Sequence, residues 1–211
     1  MTDLIFIRHG ETDWNRQQRF QGQIDVPLNA TGHLQAQRLA QALAGESFDL
    51  LLSSDLQRAR QTIAPLEQRL ARPARVQADW REQGFGVLEG LSVGEIKAQH
   101  PELWAQWLRH DADYSLPRGE SVRRFHARVT DALRELVRQH EARRLLIVTH
   151  GGVLDMLWRT VHGQALHGPR SCAIPNTGIN RLRWRAGRLD LEHWADDAHL
   201  AGLPEQPATG S

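Results

Sequence analysis

Short apolar runs set between longer helix-period stretches restrict this chain to an α/β architecture, because that alternation is the signature of strands and helices layered on a largely parallel sheet. The runs are Leu4 to Ile7, Leu50 to Leu52 and Leu145 to Val148, with a later candidate around Ile179 to Trp184. Between them, Ala36, Leu39, Ala40 and Leu43 recur at helical spacing, and Thr31 is placed to cap that helix. Val122, Phe125, Val129, Leu133, Leu136 and Val137 form a stronger stripe with Ser121 just ahead of it. Both stripes read as core. Residues 83 to 116 lose the period and carry Gly84, Gly86, Gly90 and Pro101, so they read as an excursion whose loops shape a pocket. A chain of 211 residues suits a single domain, read as 1–202, while 203–211, with Pro204, Pro207 and Gly210, reads as a flexible tail.

Charge and cysteine usage narrow the function classes. A formal net charge of +1 lacks the basic footprint of a nucleic-acid binder. Lys97 is the only lysine, so arginine, which suits planar recognition of phosphate and carboxylate, carries nearly all the positive charge. Cys172 stands alone, which rules out an internal disulfide and fits a reducing compartment. No basic segment with an apolar stretch precedes the first run, and no apolar run approaches the roughly 20 residues that span a bilayer. A cytoplasmic protein without a membrane partner is expected, and the composition says nothing of oligomeric state.

The first three runs all end in polar residues. Leu4 to Ile7 meets Arg8-His9-Gly10, Leu50 to Leu52 meets Ser53-Ser54-Asp55-Leu56-Gln57-Arg58, and Leu145 to Val148 meets Thr149-His150-Gly151-Gly152. Such side chains are costly at the edge of a core unless the fold aims them at something. In open α/β sheets, ligands sit beyond the carboxyl ends of the strands, where two histidines and two arginines would meet. That set supports phosphoryl transfer: a neutral imidazole attacks phosphorus once planar donors hold the phosphate's charge. Arg8 and Arg58 can each offer bidentate hydrogen bonds, His150 adds charge if protonated, and Gly10, Gly151 and Gly152 admit close backbone approach. The leaving oxygen needs an acid. Glu82 in "WREQGFGVLEG" is the candidate with Glu89 as its competitor, just as Arg60 competes with Arg58.

Other phosphate chemistries fail on inspection. Lys97 sits in "GEIKAQH" rather than a glycine-framed P-loop, Cys172 is followed by "AIPNTG" without the arginine of a cysteine phosphatase, and the acidic residues are too scattered for a metal phosphatase.

Taken in order, "IRHGETDWN", "SSDLQRARQT", "WREQGFGVLEG", "GESVRRFHARV" and "VTHGGVL" resemble the motifs of the histidine phosphatase superfamily, also called phosphoglycerate mutase-like. The resemblance runs from Leu4 to about Leu200. It implies a three-layer αβα sandwich with a mixed, mostly parallel sheet and no metal or organic cofactor. It further implies a small phosphate ester as substrate, phosphorylation of His9 during turnover, a phosphoryl group held by Arg8, Arg58 and His150, and Glu82 as acid and then base. By the same likeness Asn15 contacts phosphate, Gln21 and Gly22 line the pocket, and Thr149 and Gly151 flank the second histidine. His150-Gly151-Gly152-Val153-Leu154 resembles the family's phosphatases, and stretches typical of dedicated mutases are absent. A cofactor-dependent phosphoglycerate mutase remains one alternative, and an inactive phosphate-binding module another. Trp104 and Trp107 read either as packing for a short helix or as an apolar wall for the leaving group. His199 matches a C-terminal family motif, with no role assigned.

Overall fold

The computed structural model describes residues 1–204 and 206. In chain order its elements are β1 (Thr2–Arg8), α1 (Asp13–Arg16), α2 (Ala30–Ala42), β2 (Leu50–Ser54), α3 (Gln57–Leu70), β3 (Arg75–Gln77), α4 (Val93–Gln99) and α5 (Pro101–Trp107). There follow α6 (Val122–Gln139), β4 (Arg144–Thr149), α7 (Gly151–His162), β5 (Ile179–Arg185) and β6 (Arg188–Asp196). The strands form one sheet in the order β3-β2-β4-β1-β5-β6. From β3 to β1 every pairing is parallel, whereas β5 and β6 join antiparallel, so the sheet is mixed and mostly parallel as expected.

Alternation along the central strands sorts the core into two layers. Leu4, Phe6, Leu145 and Ile147 face α6 and α7, where Phe125, Val129, Leu133, Val153 and Leu157 meet them. Ile5, Ile7, Leu146 and Val148 face the other way, toward Leu39 and Leu43 of α2 and Ala59 and Ile63 of α3. Both faces being covered explains why these strands read as continuous apolar runs. A third cluster around Leu88, Ile96 and Leu116 is the excursion, which folds α4 and α5 over the sheet's end.

Local signals account for the helix ends. Ser121 caps α6 by accepting the Arg124 N–H. Thr31, expected to cap α2, lies inside the helix: Asn29 is the cap, accepting from the Gly32 N–H. The correction has a plain cause, since Asn is as good an N-cap as Ser or Thr and stands two residues earlier. Most of the expected tail, namely residues 205 and 207–211, lies outside the described residues. Gln206 is described, and its Oε1 accepts from the Asn176 N–H at 2.5 Å. Among the described residues no helix is long and apolar enough to cross a membrane.

Candidate active site

Adjacency in the sheet brings the three strand ends together. β4 lies between β2 and β1, with Thr149 level with Arg8 and Val148 level with Ser53, so His9, Ser54 and His150 emerge side by side. Arg8, His9, Asn15, Gln21, Gly22, Arg58, Glu82 and Gly151 line one cavity of about 410 Å³. His150 stands just behind its wall, with its ring centroid 5.2 Å from that of His9.

His9 is fully braced. Its backbone N–H donates to Thr149 O at 2.8 Å, its carbonyl accepts from Asn176 Nδ2 at 2.8 Å, and its Nδ1 lies 2.8 Å from Gly10 O. A carbonyl only accepts, so Nδ1 carries the proton and Nε2 keeps its lone pair. Burial, then the charges of Arg58 and Arg8, push the His9 pKa well below the usual 6.5, which keeps the ring neutral. The result is an oriented, neutral imidazole with one free ring nitrogen.

The two arginines are held from behind. Arg8 Nη1 donates to Ile174 O at 2.6 Å, and Arg58 donates to Ile24 O at 2.9 Å and Gly22 O at 2.8 Å. In each, Nε is buried without a partner, a donor left for a ligand. Burial, followed by the charge of Arg170, draws Arg8 down to about 9, and burial draws Arg58 down to about 10. Both remain charged at neutral pH, in a pocket whose positive potential calls for an anion. Arg60, the competitor of Arg58, is exposed and does not line this cavity.

His150 departs from the expectation that it could bring positive charge. Burial, then the charges of Arg58 and His9, hold its pKa well below 6.5. Its Nε2 lies 2.8 Å from Ser54 Oγ, and its Nδ1 is buried and unpartnered. With the Ser54 hydroxyl donating to Nε2, Nδ1–H is left as a neutral donor. Asn15 has Oδ1 engaged by Thr12 in the cap of α1, so its amide nitrogen is the group available to a ligand.

Glu82 reaches the site from the opposite wall. Its carboxylate accepts from the Gly152 N–H at 3.0 Å and the Gln83 N–H at 2.8 Å. A Cβ at position 152 would collide with Glu82 Oε1 and press on Phe125 at 3.0 Å, so a larger residue there would push the carboxylate from its place. Glu89, the competitor, does not line the cavity; it accepts from the Gln23 and Phe85 N–H groups at 3.1 and 2.8 Å and so ties loops together.

Several contributors were not foreseen. Arg128 donates to the carbonyls of Asp79, Arg81 and Glu82 and pairs with Glu120 at 2.9 Å, fixing the segment that presents Glu82. Asn176 and Ser54 act as described, and Arg170 enters the cavity from the loop after α7. Trp104 and Trp107 pack edge-on against Phe20 and also line the cavity. His199 Nε2 lies 3.2 Å from Thr177 Oγ1 and tethers the C-terminal 3₁₀ turn to the loop behind His9. Cys172 is pushed up to about 12 by burial and then Asp155, so it stays a thiol.

The depressed histidines tie stability to pH. The unfolded chain takes up these protons near pH 6.5, while the folded one does not, so stability falls as pH drops below about 6.5. Each histidine contributes a slope of up to about 1.4 kcal/mol per pH unit. Thermal unfolding between pH 7 and 5 should show this loss, flattened in His150→Gln. An unchanged slope in that variant would contradict the burial of a neutral ring.

The profile of the histidine phosphatase superfamily (branch 1) matches residues 4–197. The chain belongs to the histidine phosphatase superfamily. Among relatives within this superfamily, the Arabidopsis thaliana phosphoglycerate mutase-like protein 4 is 33% identical over 94% of this chain and 86% of its own length. The metal-independent phosphoserine phosphatase of Arabidopsis thaliana is 31% identical over 96% of this chain and 85% of its own. The mycobacterial glucosyl-3-phosphoglycerate phosphatase, solved in complex with VO3, superposes with a TM-score of 0.81 at 31% identity, covering 92% of this chain and 98% of that one.

Proposed function

We propose that this chain is a phosphomonoesterase that works through a phosphohistidine at His9. The observation that carries the reading is the His9 ring, neutral, with Nδ1–H spent on Gly10 O and Nε2 free, beside the unpartnered donors of Arg8, Arg58 and His150. A phosphate dianion placed there would take bidentate or single hydrogen bonds from both arginines, with further donors from His150 Nδ1 and Asn15 and the N-terminus of α7 behind it. Nε2 attacks phosphorus in line, and Glu82 gives its proton to the departing alcohol oxygen. In the second half, Glu82 takes a proton from water, whose oxygen displaces His9 and releases phosphate. Relatives named for phosphoserine and for glucosyl-3-phosphoglycerate support a small phosphorylated metabolite as substrate. The aromatic wall of Phe20, Trp104 and Trp107 gives the leaving group an apolar surface.

A mutase would return the phosphoryl group to bound glycerate before water could take it. Phosphorus NMR of the enzyme with 3-phosphoglycerate and a trace of 2,3-bisphosphoglycerate separates the two. Release of inorganic phosphate from 3-phosphoglycerate, or from an aryl phosphate when the glycerate is untouched, is the expected result. Build-up of 2-phosphoglycerate with no loss of total ester would overturn it.

A further inference from the structure

The cavity holds a guanidinium, that of Arg170, which no protein carboxylate pairs with among the described residues. Arg8 and Arg58 flank His9, and Arg19 and Arg159, which also line the cavity, are paired with Glu95 and Asp155. Arg170 is left. Its Nε is buried without a partner, and among the described residues its guanidinium forms no ion pair. Of the cavity's carboxylates, Glu82 is committed to the Gly152 and Gln83 N–H groups, Asp155 pairs with Arg159, and Asp111 is exposed and accepts from the Asp113 N–H at 2.9 Å.

The loop that carries Arg170 is built to hold it. Arg159, 5% exposed, donates to the carbonyls of Ala165, His167, Gly168 and Pro169 at 2.6 to 3.1 Å, while Asp155 steadies it from one turn earlier. The guanidinium so placed closes over the bare Cα of Gly151. A Cβ there would lie 3.6 and 3.7 Å from the Arg170 terminal nitrogens and 3.5 Å from Arg8 Nε, filling the space the two arginines share. Two like charges are kept side by side around an open gap at the N-terminus of α7, which an anionic ligand would stabilise.

We infer that Arg170 is a specificity-determining residue that binds a second anionic group of the substrate, a carboxylate by charge and shape, on the leaving-group side of the phosphoryl site. A guanidinium without a protein carboxylate presents the planar fork that fits a carboxylate of the ligand. The assignment rests on the phosphatase reading for where the phosphoryl group lies.

Pairs of esters that differ at the carboxylate test it: 3-phosphoglycerate against glycerol 3-phosphate, and phosphoserine against phosphoethanolamine. Arg170→Gln should lower the ratio of kcat/KM for the acidic over the neutral member at least tenfold, with Arg170→Lys intermediate. A ratio held within threefold, whether both rates fall together or neither moves, overturns the assignment; a joint fall would make Arg170 a third phosphoryl clamp. Calorimetric binding of the same four esters to His9→Ala, with and without Arg170→Gln, reads the ratio without turnover. Failure of hydrolysis, which would sink the phosphatase reading, is thereby told apart from failure of this one.

Discussion

His9→Ala should lose at least three orders of magnitude in turnover, about 4 kcal/mol or more of transition-state stabilisation. The loss is large because, among the described residues, the ring is the only buried nucleophile in the cavity with a free lone pair, set among donors that act as a unit with it. Its removal leaves Arg8, Arg58 and His150 able to bind phosphate, so the variant should still hold inorganic phosphate while failing to hydrolyse any ester. Neither His150, tied to Ser54, nor Cys172, kept as a thiol, can replace it. A variant that retains more than a few per cent of activity would remove His9 from the mechanism.

The second large effect depends on the leaving group. Glu82→Gln should lower kcat/KM for alkyl phosphates by about two to three orders of magnitude, the usual contribution of a positioned acid. For nitrophenyl phosphate, whose phenolate departs without a proton, the loss should stay within about tenfold. The comparison is made in kcat/KM because that constant ends at release of the alcohol, before Glu82 is needed as a base. Equal losses on both esters would point to another acid.

How much of this was legible before folding follows from where the free energy is local and where it is not. The central strands were readable because burial on both faces leaves uninterrupted apolar runs, and the α6 stripe because its spacing matches its burial. Two strands were not. β3, Arg75–Gln77, is a polar three-residue edge with no run to detect. β6 was betrayed only by the Ala186-Gly187 turn, both residues at positive φ, and by Leu189 and Leu191 alternating with polar neighbours. In the site, residues that end strands stood out because a polar side chain there contradicts the core around it. Arg128 and Arg159 gave no such signal. Each grips backbone carbonyls of a distant or looping segment, a role invisible without the tertiary path of the chain. Arg170 was equally hidden, since one arginine in "HGPRSC" resembles any solvated loop residue until Gly151 is seen beneath it.

The central claim is a covalent one: the phosphoryl group passes through Nε2 of His9. The most direct measurement is to quench the enzyme in alkali within milliseconds of mixing with a labelled phosphate ester, digest it, and locate the label by mass spectrometry. One phosphorylated peptide is expected, that bearing His9, with the label stable in base, lost in acid and absent from His9→Ala. Label on another residue, or rapid hydrolysis with no phosphoenzyme at any time point in the wild type and in Glu82→Gln, would contradict it.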